Sequence, residues 1–151
     1  MALVYLGLGT NLGNKERNLN NAVKALNLQI GKVQKQSSLH SSKPWGFDSE
    51  NDFLNVVVLI DTSLSPFDVL EKALEIERKM GRKVKTTKGY TDRLIDIDIL
   101  LYDNLIIDQP ALKIPHPLMG IRDFVLIPMA EIAPDLVHPV LGKKIIELLN
   151  G

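Results

Sequence analysis

Apolar positions change their spacing along this chain, and each change marks an element. Leu3 to Leu8 reads as a strand, and Gly9-Thr10-Asn11-Leu12-Gly13-Asn14 as a turn cluster. Leu19, Ala22, Val23 and Leu26 fall at helical spacing, and Gly31 ends that helix. Val33 to Ser42 is polar but suits a second strand. Lys43 to Asp52, with Pro44 and Gly46, is a loop. Phe53 to Asp61 holds the β-rich run Val56-Val57-Val58-Leu59-Ile60, a third strand. Ser65-Pro66 is a helix start, with Ser at the cap and Pro at the first helical position. Leu70, Ala73, Leu74 and Glu77 share a face of that helix, which ends near Gly81. Arg82 to Asp92 is a polar, basic loop, and Arg93 to Tyr102 a fourth strand. The order βαββαβ predicts an α+β, ferredoxin-like fold with an antiparallel-type sheet and helices on one face. The tail from Asp103 to Gly151 adds short strands and helices, as an edge hairpin and helical pieces of the same domain.

At 151 residues the chain suits one domain spanning 1–151, and 45% hydrophobic residues suffice for one core. It has no cysteine, which removes disulfides and thiolate metal sites and fits a reducing compartment. The first residues lack a basic leader, and no apolar run approaches the roughly 20 residues a membrane span needs. A cytoplasmic protein without a membrane partner is expected. Lys plus Arg equals Asp plus Glu, 18 against 18, so the basic excess of a nucleic-acid binder is missing.

Against that balance, Arg93-Leu94-Ile95-Asp96-Ile97-Asp98-Ile99-Leu100 stands out. In a strand, Ile95, Ile97, Ile99 and Leu101 point one way, and Asp96 and Asp98 the other, with Cα atoms about 6.6 Å apart. Paired carboxylates repel unless a cation sits between them, and this spread suits hard cations shared with phosphates. A solvated polar face is the other reading. Arg82, Lys83, Lys85, Lys88 and Arg93 bring cations beside that strand. Alone they read as a charge run near a helix C-terminus. With the acidic pair, phosphate binding is the better reading. Trp45, Phe47, Phe53 and Phe124 lie outside regular periodicity and can form a slot for a flat ring, with the Asn55 amide beside it; core packing is the alternative.

Gly7-Leu8-Gly9-Thr10-Asn11-Leu12-Gly13 has the wrong spacing for a dinucleotide loop and reads as a tight strand-to-helix turn. His40 and His138 lack partners at metal spacing and read as surface or turn residues. His116, between Pro115 and Pro117, sits in a rigid turn and can donate to a phosphate or base. There is no Walker loop, so a nucleotide site would be of another type.

These pieces resemble the hydroxymethyldihydropterin pyrophosphokinase family of folate biosynthesis. The resemblance runs from Tyr5-Leu6-Gly7-Leu8-Gly9-Thr10-Asn11-Leu12-Gly13 through Phe53-Leu54-Asn55, Glu77-Arg78-Lys79-Met80-Gly81-Arg82 and Asp92-Arg93-Leu94-Ile95-Asp96-Ile97-Asp98. It continues to Ile114-Pro115-His116-Pro117 and Arg122-Asp123-Phe124-Val125-Leu126. It implies transfer of pyrophosphate from ATP to the hydroxymethyl group of 6-hydroxymethyl-7,8-dihydropterin, with release of AMP, on a ferredoxin-like fold. It also implies two Mg2+ ions bound with ATP by Asp96 and Asp98, and a monomer or weak dimer. By the same resemblance, Arg82 and Arg93 neutralise phosphate and join the two aspartates as the catalytic set. Glu77, Arg82, Lys85, Tyr90, Arg93, His116 and Arg122 match the ATP side. Ser42, Lys43, Trp45, Phe53, Asn55, Asp96 and Phe124 match the pterin side.

The chain departs from the common family pattern at Tyr90-Thr91-Asp92-Arg93, where many members have Trp-Gly-Pro-Arg, and at Pro117 and Leu74. The loop from Arg82 to Asp92 is expected to act as a lid with Tyr90 as its latch. Two other readings compete. One is a ferredoxin-like small-molecule-binding module without turnover, which has no need of the Asp pair. The other is an RNA-binding domain, whose sheet face would not present carboxylates.

Overall fold

Asn14 and Ser65 start the two long helices. A computed structural model of the chain describes residues 1–44, 51–81 and 94–151. In it the Asn14 side chain accepts the Arg17 N–H at 3.1 Å to open α1 (Lys15–Gln29), and Ser65 accepts the Asp68 N–H at 3.2 Å to open α2 (Pro66–Lys79). Around them run β1 (Ala2–Thr10), β2 (Gly31–Gln36), β3 (His40–Ser42), β4 (Phe53–Thr62) and β5 (Asp96–Tyr102). The main sheet has the order β2-β4-β1-β5, every pair antiparallel, with the short β3 also paired to β4. With its two crossover helices this is the expected ferredoxin-like arrangement.

Strand alternation sets the first core. Val4, Leu6 and Leu8 of β1, Val56, Val58 and Ile60 of β4, and Ile97 and Ile99 of β5 face one way. They meet Leu19, Ala22 and Leu26 of α1 and Val69, Ala73 and Ile76 of α2. The buried stripe of α2 therefore runs through Val69, Ala73 and Ile76, and Leu74 lies outside it, exposed, contrary to the sequence reading. Gly31 turns straight from α1 into β2, where any Cβ would collide with the carbonyl oxygen of Asp61.

Three further expectations are corrected. The second strand is broken into β2 and β3, because the Ser37 hydroxyl accepts the Val57 N–H at 3.0 Å and interrupts the ladder. The β1–β5 register shifts between Tyr5 and Leu6, so that Leu101 pairs with Tyr5 while Ile99 pairs with Leu6. That bulge turns Leu101 to the face opposite Ile97 and Ile99, where it joins Leu100. The tail forms no edge of the main sheet. Its hairpin, β6 (Ile107–Gln109) with β7 (Leu112–Ile114), is a separate two-stranded sheet.

The tail helices α3 (Asp123–Ile132) and α4 (Ile145–Asn150) cover the second face of the main sheet, so helices flank it on both sides. Val125, Leu126 and Met129 of α3 and Ile145 of α4 pack with Val57, Leu100 and Leu101. α3 leaves part of that face open, over the ends of β1 and β5.

Candidate active site

Asp96 and Asp98 lie opposite Gly9 and Gly7 of β1, respectively. A side chain at either glycine would stand beside a carboxylate on the same face of the sheet. Without them the backbone forms a low floor, and a pocket opens above it with about 630 Å3 of empty space, counting the part open to solvent. Both aspartates line it, half-buried, as the strand periodicity requires. Gly7 and Gly9 are thus strand residues. Only Gly13, with φ of 66°, serves the turn that the sequence reading gave to the whole glycine motif. The signal that identifies the floor is two glycines two apart in a strand, which clear one face.

Phe53 and Phe124 both line the pocket, from β4 and from the start of α3. Asn55, which lines the same pocket, is buried at 5% exposure. Its Nδ2 donates to the His40 carbonyl at 3.1 Å and to the Ser42 Oγ at 2.7 Å. Both amide protons are spent on β3, so Oδ1 is the group left for a ligand: an acceptor, where the sequence allowed both roles. Oδ1 borders the glycine floor, 3.1 Å from where a Cβ on Gly9 would lie. Ser42 and Lys43 line the same side, and Lys43 reaches Asp52 at 3.5 Å.

Arg122 is the cation at the opposite wall. It is 6% exposed, its Nη1 lies 3.9 Å from Asp98 Oδ2, and its guanidinium sits 5.3 Å from the centre of the Phe124 ring. One residue therefore links the carboxylate floor to the aromatic wall. His116 lies within the field of both Arg122 and Asp96. Its backbone N–H donates to the Leu100 carbonyl, and its Nδ1 accepts the Leu118 N–H at 3.2 Å. Nδ1 being the acceptor, the ring proton of neutral His116 resides on Nε2. Burial, then the nearby Arg122, pushes the ring down to about pKa 4, against a smaller upward pull from Asp96. His116 is accordingly a neutral donor across the physiological range.

Glu77 is not at the pocket wall. It is 2% exposed within the helix-side core, and its Oε2 accepts the Ile97 N–H at 2.7 Å. That bond fixes the backbone between Asp96 and Asp98. Trp45, Phe47, Arg82, Lys83, Lys85, Lys88, Tyr90 and Arg93 lie outside the described residues, as does the expected lid. The two histidines dismissed from sequence have partners. His138 is buried and takes the Val140 and Leu141 N–H groups on Nδ1, and His40 meets Glu131 at 3.0 Å.

Among the described residues no group of three or more His, Cys, Asp or Glu gathers as a closed metal cage. Two carboxylates on an open floor are nonetheless a fitting donor set for a hard divalent cation that completes its shell with phosphate and water. Among the described residues no helix is long and apolar enough to cross a membrane.

Comparison with known proteins points to one family. Residues 5–134 match the family model described as 7,8-dihydro-6-hydroxymethylpterin-pyrophosphokinase (HPPK). A protein of Aquifex aeolicus named 2-amino-4-hydroxy-6-hydroxymethyldihydropteridine pyrophosphokinase is 41% identical over 147 residues, covering 97% of this chain and 90% of that one. A Porphyromonas gingivalis protein of the same name is 44% identical over 141 residues, covering 92% and 95%. Among solved structures, the Plasmodium falciparum HPPK-DHPS wild type with pteroate superposes with a TM-score of 0.80 at 16% identity. The superposition covers 99% of this chain and 44% of that longer one, and it bears on the fold alone.

Proposed function

The chain belongs to the 7,8-dihydro-6-hydroxymethylpterin-pyrophosphokinase family, and we propose that the pocket above β1 and β5 is where its two substrates meet. The enzyme transfers pyrophosphate from ATP to the hydroxymethyl group of hydroxymethyldihydropterin, a step of folate biosynthesis. The observation that carries the site assignment is one pocket with a carboxylate pair on its floor and two phenylalanines on its walls.

The pterin ring lies between Phe53 and Phe124, and Asn55 Oδ1 accepts from the N–H groups along the ring's edge. Ser42, Lys43 and Trp45 complete that side. Its hydroxymethyl oxygen then points toward Asp96. That oxygen attacks the β-phosphorus of ATP, and the bond from the β-phosphorus to the α–β bridging oxygen breaks. AMP leaves with that oxygen, and Asp96, nearest the hydroxyl, takes its proton. Asp98 and Asp96 would hold the divalent cation, proposed as two Mg2+ ions. When bound, they neutralise triphosphate charge and align the phosphates. Arg82 and Arg93 supply positive charge to the same phosphates, and Lys85 and Tyr90 also bind ATP. Arg122 and the Nε2–H of His116 bind ATP oxygens from the far wall. Glu77 supports the ATP side by holding Ile97. Little covalent work is asked of the protein, and positioning and electrostatics carry the rate. The whole assembly resides in one domain, 1–151, of a cytoplasmic monomer or weak dimer that needs no nucleic acid.

Phosphorus NMR of the reaction tests this. AMP and a pterin pyrophosphate should appear together in equal amounts. ADP formed in step with a monophosphorylated pterin would contradict it.

A further inference from the structure

β3 has three residues and, among the described residues, pairs only with β4, yet it carries Ser42 and the His40 carbonyl that orient Asn55. So short an edge strand is weakly held by its ladder alone. It has a second anchor. Glu131, near the end of α3, accepts the Ser38 N–H on Oε2 at 2.7 Å and the Ser38 hydroxyl on Oε1 at 2.6 Å. The same Oε1 lies 3.0 Å from His40 Nε2, which is itself 3.3 Å from the Ser38 hydroxyl. The contacts span 91 and 93 residues of sequence and join two elements that no loop connects directly.

The position on α3 matters. Phe124 and Glu131 are seven residues apart, close to two helical turns, so they project from nearly the same side of α3 about 10 Å apart along its axis. One end of this face carries an aromatic wall of the pocket, and the other grips the segment leading into the opposite wall. We infer that Glu131, with Ser38 and His40, is a positioning clamp that holds the Asn55–Ser42 side in place relative to Phe124, and so sets where the edge of a stacked pterin ring meets Asn55 Oδ1. The inference rests on the reading of that slot as the pterin site. The hydrogen bond from the Ser38 hydroxyl, then the one from His40, holds the Glu131 carboxyl below the usual range, so the clamp stays ionised at neutral pH and its bonds are charge-assisted.

A purely structural role predicts a different outcome. Ser38 is exposed and the Glu131 side chain is 38% exposed, so the cluster adds little to global stability. The clamp predicts a selective loss instead. Pterin binding is measured by calorimetry with Mg2+ and a non-hydrolysable ATP analogue, and binding of that analogue is measured separately. Glu131→Ala should raise the pterin Kd about tenfold, which corresponds to about 1.4 kcal/mol. The analogue's Kd should stay within about twofold, and the melting temperature within about 4 °C. Glu131→Gln should recover most of the pterin affinity, because its amide oxygen still accepts the Ser38 N–H and its NH2 can donate to the Ser38 hydroxyl. Ser38→Ala should fall between them, at about threefold. Unchanged pterin affinity in Glu131→Ala, or equal losses for both ligands, would overturn the clamp. Should Glu131→Ala not fold, Ser38→Ala decides alone, and wild-type pterin affinity there overturns it. Phe124→Ala separates the two readings. If it weakens pterin binding while the clamp variants do not, the clamp alone is wrong. If it too leaves pterin affinity intact, the slot assignment falls and the clamp with it.

Discussion

Asp96→Asn is expected to slow turnover at least about a hundredfold, and Asp98→Asn by a comparable factor, the scale of losing a key electrostatic group in a water-poor site. The two side chains share one face of β5 because they are two residues apart, and Gly7 and Gly9 leave the space above them clear. Asn keeps the size and removes the charge, so the strand and the Glu77 bond to Ile97 persist while attraction for the cation and its triphosphate is lost. Both residues are half-buried, and a neutral amide is tolerated there without a folding defect. The two variants should differ in a second readout. Asp96 pairs with Gly9, which borders the Asn55 amide, and Asp98 lies beside Arg122, so Asp96→Asn should weaken pterin binding more than Asp98→Asn does. Steady-state rates on variants with wild-type melting curves check this, and near-normal turnover in either would remove the carboxylate pair from the mechanism.

Phe124→Ala and Phe53→Ala should each weaken pterin binding by about 1–3 kcal/mol, taking the stacking of a base on an aromatic side chain as the analogue. That is roughly a five- to 150-fold rise in Kd. The larger loss is expected at Phe124. Its ring also packs against the Arg122 guanidinium, which in turn reaches Asp98, so its removal loosens the phosphate side as well. Phe53 stands on β4 at the Gly9 and Asn55 side of the floor, so the loss in Phe53→Ala should fall chiefly on the pterin. Calorimetric titration of each variant with pterin, and then with an ATP analogue, resolves the two patterns. Full pterin affinity in both variants would place the ring elsewhere.

Much of the fold is legible in the sequence, and the physical reasons are specific. The period-two run Ile95-Asp96-Ile97-Asp98-Ile99 fixes both a core face and a carboxylate face, so the floor of the site could be read directly. Ser65-Pro66 located the start of α2 because capping is a local event. The aromatic slot was visible only as residues out of period, and its partners needed the fold: Phe53 and Phe124 are 71 positions apart and meet only because α3 returns across β4. Leu101 departs from the period-two pattern because a bulge adds one residue to a strand without any change in its composition. Ser37 broke the second strand through its side-chain hydroxyl, which a pattern of polar and apolar positions does not register. The same limit hid the cluster of Ser38, His40 and Glu131, whose members look like ordinary surface residues until the tertiary fold joins them. Glu77 shows the same limit: its segment resembles the family's ATP side, but only the fold reveals that its Oε2 accepts the Ile97 N–H.

Metal, ATP and pterin are proposed to share a single pocket, and one diffraction experiment addresses that placement directly. Crystals of the protein with Mn2+, an α,β-methylene ATP analogue and the pterin would be measured at the manganese absorption edge. The expected result is two anomalous peaks within coordination distance of the Asp96 and Asp98 carboxylates, with the pterin ring between Phe53 and Phe124. Manganese bound away from both aspartates, with the ligands fully occupied, would contradict it.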